Sequence, residues 1–216
     1  VAQQARAQIT RKFIIDGAAR VFLDVGYAHT TMAQVAASAG VTKGALYFHF
    51  DSKQALARAV IDENLTATTA IGMRVLSGGY CALESLVRIS AGVAELTENP
   101  LTRATVRLTM ENSKLVFGEE TPHEDWIKTC ENLIHRAITE GSIRPDIDAS
   151  VLAGFLVSAH TGVDTVTGMV PAREDVLQRL EEMWKMVLPG IVPPEKQAEF
   201  LTLPGVIRQA EADLQP

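Results

Sequence analysis

The run TKGALYFHFDSK, from Thr42 to Lys53, concentrates side chains suited to gripping a polyanion and reading base edges. Lys43 can reach a guanine edge or a phosphate. Gly44 and Ala45 are small enough for the bases to come close, and the Ala45 methyl can meet a thymine methyl. Tyr47 and His49 carry polar tips for phosphate oxygens, while Leu46, Phe48 and Phe50 are expected to anchor the segment from behind. Lys53 opens a further helix, where its charge and the helix N-terminus both favour a phosphate. This is the chemistry of binding. Bond-breaking chemistry is harder to find. His160 and Asp164 stand i, i+4 on one helix face, a metal-ligand spacing, but no third ligand lies nearby in sequence, so a buried polar contact is the expected role. Cys130 and His135 are five apart and face different ways. No glycine-rich phosphate loop or nucleophile elbow occurs, and the acidic stretch GEETPHED suits solvent better than a metal. No enzyme, cofactor or metal centre is expected.

To present that run, the chain needs a short helix held by neighbours. Thr31 reads as an N-cap, with Gln34 three residues on to complete a capping box. Ala33, Val35, Ala36 and Ala39 form a small apolar face, and Gly40 supplies a left-handed stop. Thr42 can cap the next helix by accepting from the Ala45 N–H, and Asp51 with Gln54 suggests a second capping box. A two-turn helix is too short to be stable alone. A helix–turn–helix with glycine in the turn presents such a helix to the DNA major groove; the competing reading is an aromatic-rich core hairpin. Residues 3–25 form a bracing amphipathic helix through Ile9, Phe13, Ile14, Ala18, Val21 and Phe22, stopped by Gly26. Arg6 and Arg11 near its start either reach the DNA backbone or are solvated. The expected DNA-contacting set is Arg6, Thr31, Thr42, Lys43, Gly44, Ala45, Tyr47, His49 and Lys53.

Charge is distributed accordingly. Residues 1–53 hold six basic and three acidic residues, a balance of +3, so the total of −6 leaves −9 on the rest. A basic head on an acidic body confines nucleic-acid binding to one end and argues against bulk coating. The chain is 47% hydrophobic but only 6% aromatic, as expected of an aliphatic helical bundle. Two cysteines, Cys81 and Cys130, are too few for a disulfide framework and point to a reducing cytoplasm. The sequence lacks a signal-peptide pattern, and its longest apolar stretch, Val151 to Val163, is too short to span a bilayer. A soluble protein without membrane contact is expected.

The fold class read here is all-α, with about nine to ten helices: a three-helix head over residues 1–52 and a larger body over 53–216. A long helix from Ser52 to the Gly78-Gly79 break joins them and can act as a lever. Further helices run over Ala82–Leu96, residues 101–117 and His123–Glu140. Asp148 caps a very apolar helix, whose expected partner, Arg173 to Leu188, carries a stripe of Val176, Leu180, Met183, Trp184, Val187 and Leu188. The body mixes apolar residues (Leu65, Val87, Leu108, Trp126, Ile134, Phe155, Val163) with small polar ones (Thr68, Thr129, Ser158, Thr161). Such a mixture suits a pocket that orients a small molecule. A body that merely docks a protein partner needs no buried Thr and Ser.

The segment VTKGALYFHFDSKQAL resembles the recognition segment of the tetracycline-repressor family of bacterial regulators. The wording TKGALYFHF is similar to receptors for γ-butyrolactone and related autoregulators, as, more loosely, are TRATVRLTMENS, Trp126 and EEMWKMVLPGIV. The resemblance implies a ligand-responsive repressor whose partners are double-stranded operator DNA, a small lipophilic signal and a second copy of itself. It makes Trp126 a pocket residue, places Thr161 on a pocket helix and Asn64 near its edge. The effector is then a lactone, butenolide or furan; the alternatives are another lipophilic ligand, such as a drug or antibiotic, or an adaptor without a pocket. The expected ligand set is Asn64, Leu65, Thr68, Val87, Leu108, Trp126, Thr129, Cys130, Phe155, Ser158 and Thr161. The family dimerises through two carboxy-terminal helices, which places Leu156, Val163, Val176, Leu180, Met183, Trp184 and Val187 at the interface; an internal hairpin of a monomer is the alternative.

Overall fold

The computed structural model describes residues 2–117, 122–169 and 176–207, and within them the regular structure is helical. Helices α1 (Ala2–His29), α2 (Met32–Ala39), α3 (Lys43–His49), α4 (Lys53–Leu76), α5 (Ala82–Glu95), α6 (Pro100–Phe117), α7 (Pro122–Thr139), α8 (Ala149–Met169), α9 (Val176–Ile191) and α10 (Gln197–Phe200) follow one another, with single turns of 3₁₀ helix between some of them. The acidic loop GEET, the Arg173 start of the penultimate expected helix and the tail beyond residue 207 lie outside the described residues. The chain divides into two units, Val1–Thr69 with Thr97–Thr121, and Ala70–Leu96 with Pro122–Pro216. The division falls inside α4 rather than at its start.

The first unit extends beyond the three-helix head because two more helices share its core. Ile14, Ile15, Ala18 and Phe22 of α1 pack with Val35 and Ala36 of α2 and Leu46 of α3. Leu56, Ala57 and Val60 of α4 and Leu101, Ala104 and Leu108 of α6 close the same cluster. The local signals act as their chemistry requires. Thr31 and Gln34 form the capping box, Gly40 ends α2 at φ 66°, and the Thr42 hydroxyl accepts from the Ala45 N–H at 3.1 Å. At the start of α4 the cap is Ser52, whose hydroxyl accepts from Ala55 N–H at 3.1 Å, rather than Asp51.

The end of α1 is held by side chains from distant helices. Gly26 breaks the helix with φ 76° and ψ 169°, a conformation that favours glycine. The carbonyls freed there need donors. Arg107 of α6 donates to the Leu23 carbonyl at 2.6 Å, Lys53 of α4 to those of Tyr27 and Ala28 at 2.7 and 3.1 Å, and Thr30 to that of Gly26 at 2.7 Å. Glu111 accepts from Tyr27 N–H at 3.3 Å and pairs with Arg107 at 2.6 Å. A Cβ at Gly26 would lie 2.9 Å from both side chains. The Arg107 hydrogen bond holds the Glu111 carboxyl below the ordinary glutamate range, against the opposing effect of burial.

In the second unit, Leu83 and Val87 of α5, Ile134 of α7, Leu156 of α8 and Leu180, Trp184 and Leu188 of α9 form one core. Glu140, following α7, caps α5 by accepting from Ala82 N–H at 2.7 Å, and Asp148 caps α8 through Ser150 and Val151. The apolar stripe of α9 faces inward. Leu180 and Trp184 are buried within the single chain, so they cannot form an exposed dimer face; Leu156 is likewise buried, while Val163, Val176, Met183 and Val187 are half-buried. On α8 and α9 the large apolar residues left exposed are Val151, Phe155, Val166 and Met186. Among the described residues no helix is long and apolar enough to cross a membrane.

Candidate nucleic-acid interface and buried cavity

Helix α3 sorts its side chains by a rotation of about 100° per residue. Leu46 and the capping Phe50, one turn apart, are buried in the first core. Lys43, Gly44, Tyr47 and Phe48, at i, i+1, i+4 and i+5, are exposed together, with Ala45 and His49 half-buried beside them. Phe48 is therefore not an anchor: at 81% exposure it stands on the outer face of the helix, and its position half a turn from Leu46 is the signal for this. Its ring stands edge-on to His49 at 5.2 Å between centroids.

The other expected contact residues divide. Arg6 is exposed and Arg11 lies over the Phe50 ring at 5.2 Å. The Thr31 and Thr42 hydroxyls are on the surface but are engaged as caps. Lys53 is half-buried, with its ammonium on the two α1 carbonyls and 4.6 Å from the Tyr27 ring centre. It positions α1 first, which leaves at most one of its three N–H groups for a phosphate. Gly44 is the opposite case. A Cβ there would meet only the Thr42 hydroxyl, at 4.0 Å, so nothing inside the protein requires glycine.

The second unit contains a small cavity of about 30 Å³ between α5, α7, α8 and α9. It is lined by Leu86, Ile89, Ser90, Trp126, Thr129, Cys130, Leu133, Leu156, Val157, His160, Met183 and Trp184. Trp126, Thr129 and Cys130 were expected there; Leu156, Met183 and Trp184, expected at a dimer face, join them. Both tryptophans of the chain line this one space. Ser90 was missed, and His160 was expected only to make a buried polar contact, because the meeting of α5 and α8 here is one that sequence spacing cannot reveal. His160 Nε2 lies 3.0 Å from the Ser90 carbonyl oxygen, and Trp184 Nε1–H donates to the Ser90 hydroxyl at 2.8 Å. That hydroxyl in turn donates to the Val87 carbonyl at 2.8 Å. Burial pushes the Cys130 thiol up to about 11, so it stays protonated and unreactive.

The remaining expected pocket residues lie elsewhere. Asn64 accepts from the Thr102 hydroxyl at 2.7 Å, Thr68 bonds its own helix, and Leu65 is exposed. Leu108 belongs to the first core and Val87 to the second, neither against the cavity. Phe155 and Ser158 are exposed, and the Thr161 hydroxyl donates back to the Val157 carbonyl at 2.9 Å. The Asp164 side chain lies outside the described residues, among which no group of three or more metal-binding side chains occurs.

Comparisons with known proteins cover most of the chain. A family model described as bacterial regulatory proteins of the tetR family matches residues 14–60, and one described as the tetracyclin repressor-like C-terminal domain matches residues 80–193. The A-factor receptor protein of Streptomyces griseus is 36% identical over 195 residues, 90% of this chain and 68% of that protein. A solved γ-butyrolactone receptor, described as ArpA-like, superposes with a TM-score of 0.82 at 33% identity, covering 94% of this chain and 98% of the other. CprB of Streptomyces coelicolor, solved with its biological operator sequence, gives 0.79 at 34% identity, with coverage of 94% and 98%.

Proposed function

The chain belongs to the tetR family of bacterial regulatory proteins, and from that premise we infer the working cycle of a ligand-responsive transcriptional repressor. It is a regulator, not an enzyme. As a homodimer it binds a pseudo-palindromic operator in the cytoplasm, and a small lipophilic signal of the γ-butyrolactone, butenolide or furan type releases it. One observation carries the reading: the same chain has a short helix exposing Lys43, Gly44, Tyr47 and Phe48, and a buried cavity lined by no Lys, Arg, Asp or Glu. The first suits a DNA groove. The second suits a neutral lipophilic molecule and favours a ligand over a docked protein as the effector.

For the dimer contact, the exposed side of α8 supports a face built from Val151, Phe155, Ser158, Gly162 and Val166, at spacings of four, three, four and four, with Met186 from α9. Small residues among apolar ones allow two copies of α8 to approach closely. A two-fold dimer then carries two copies of α3 that read matched half-sites.

Release follows from linkage. A ligand shifts an equilibrium only by its differential affinity for the two states. A hundredfold loss of operator affinity needs a coupling of about 2.7 kcal/mol, and operator DNA must weaken ligand binding by the same factor. The test is to select DNA from a random pool with the purified protein and add γ-butyrolactones of increasing alkyl length. Enrichment of an inverted repeat, released by one of the lactones, supports the reading. Enrichment without release by any lactone confines the assignment to DNA binding.

A further inference from the structure

We propose that His160 is the residue that recognises the ligand's carbonyl oxygen, through its Nε2–H; this rests on the neutral, lactone-type ligand inferred above. A carbonyl oxygen only accepts, so the 3.0 Å contact between His160 Nε2 and the Ser90 carbonyl places the proton on Nε2. Ser90 lies inside α5, four residues before Ala94, so its carbonyl also serves the helix's own i to i+4 bond. The bond from His160 is a second one on the same oxygen. An entering carbonyl can take it over without leaving the Ser90 oxygen bare.

The other polar groups of the cavity are not free to change partners at so low a cost. The Trp184 N–H and the Ser90 hydroxyl bond to each other, and the hydroxyl also serves Val87. The Val87 carbonyl, like that of Ser90, keeps its helix bond if the hydroxyl turns away, but that turn also takes the hydroxyl's lone pair off the Trp184 N–H, so these two donors change partners only together. Cys130 is a protonated thiol, a weak donor. Thr129 is exposed and donates to the Asp125 carbonyl of its own helix at 2.9 Å. His160 is thus the buried donor that can transfer to a ligand. The lining includes no Lys or Arg, and with His160 as a neutral imidazole the matching group is the carbonyl of a neutral lactone, ester or ketone. As it stands the cavity has room on the scale of a water molecule. Half-buried Trp126 and Met183 must shift as the ligand enters, and the flexible thioether chain of Met183 suits that.

The experiment is calorimetric titration of the intact protein with two matched probes: γ-octalactone, and 2-butyltetrahydrofuran, which keeps the ring and alkyl tail but lacks the carbonyl. Wild type is expected to prefer the lactone by about tenfold, the value of one neutral hydrogen bond near the upper end of its range. His160→Phe keeps a ring of similar volume and should reduce that preference to about one by weakening lactone binding alone. His160→Gln, which restores an N–H, should recover part of it. A preference unchanged in His160→Phe overturns the assignment. If neither variant folds, the wild-type comparison decides, because equal affinity for the two probes overturns it. Binding of both probes without discrimination leaves a lipophilic pocket standing and removes only His160. Binding of neither probe, at concentrations where the family reading requires it, removes the lactone reading and this inference with it.

Discussion

Replacing Gly44 by alanine should produce a protein that is more stable and binds its operator less well. Gly44 lies in the first turn of α3, exposed, and the nearest heavy atom to a new Cβ is the Thr42 hydroxyl at 4.0 Å. The added methyl meets no strain inside the protein. Alanine loses less backbone freedom on folding than glycine, so the gain is about 0.5–1 kcal/mol. In a chain of this size that raises Tm by roughly 1–4 °C. On the outer side, the methyl projects from the surface that carries Lys43, Tyr47 and Phe48. If DNA approaches the backbone there, displacement of even one base contact costs about 1–3 kcal/mol, roughly 5- to 150-fold in operator affinity. The assay pairs thermal unfolding with fluorescence anisotropy on operator and on unrelated DNA, at one fixed salt concentration. A stabilised variant with unchanged operator affinity would refute the close approach. A destabilised one would show a packing role for Gly44 that its surroundings do not contain.

Lys43→Ala should cost about 1–3 kcal/mol on the operator and relax base preference, whereas Lys53→Ala should chiefly lower Tm, since its ammonium holds the end of α1; equal losses on all DNA with unchanged Tm in both would count against this. Phe155→Arg, at an exposed position on α8, should cost about 2 kcal/mol or more in dimerisation, roughly 30-fold, with the fold kept. Leu180→Arg should instead abolish folding, because it puts an unpaired charge in the core; size exclusion and circular dichroism separate the two. Glu111, whose folded pKa is depressed, contributes stability that is complete above its ordinary value of about 4.3 and lost as pH falls through the lower folded value. Glu111→Gln should therefore reduce stability near neutrality and flatten its fall as pH drops through and below the ordinary glutamate range in denaturant titrations. Trp126→Ala should leave operator affinity near wild type and raise the ligand concentration for release by roughly 30-fold, from about 2 kcal/mol of lost contact; release at the same concentration would show that the ring does not touch ligand.

What could be read directly from sequence was local. The Thr31–Gln34 box, the Gly40 stop and the Thr42 cap each depend on residues within four positions, and each is formed. Phe48 is legible too, since helical rotation alone sets it opposite Leu46, whereas its aromatic character fits either face. Lys53 was not legible. Its ammonium is taken by carbonyls 25 and 26 residues earlier, a contact only the packed helices create. The α9 stripe posed another difficulty: Leu180 and Trp184 read alike whether a helix faces its own core or a partner's, and here the core takes them. The hub at Ser90 joins residues 70 and 94 positions away, beyond any spacing rule.

The placement of both indoles has an optical consequence. No tryptophan lies before position 126, so emission excited at wavelengths that indole absorbs and phenol does not comes from the walls of one cavity and leaves out Tyr47 on the DNA-reading helix. The two sources also differ. Trp184 is buried with its N–H on Ser90, and should emit toward the blue with little access to quenchers. Trp126 is half-buried and should emit further to the red, within reach of a neutral quencher such as acrylamide. Filling the cavity changes the surroundings of both rings, most of all those of half-buried Trp126, so the emission maximum becomes a label-free gauge of occupancy. With a fluorophore on the DNA end, the same sample then reports loading and release on separate channels, and the interval between the two signals times the allosteric step.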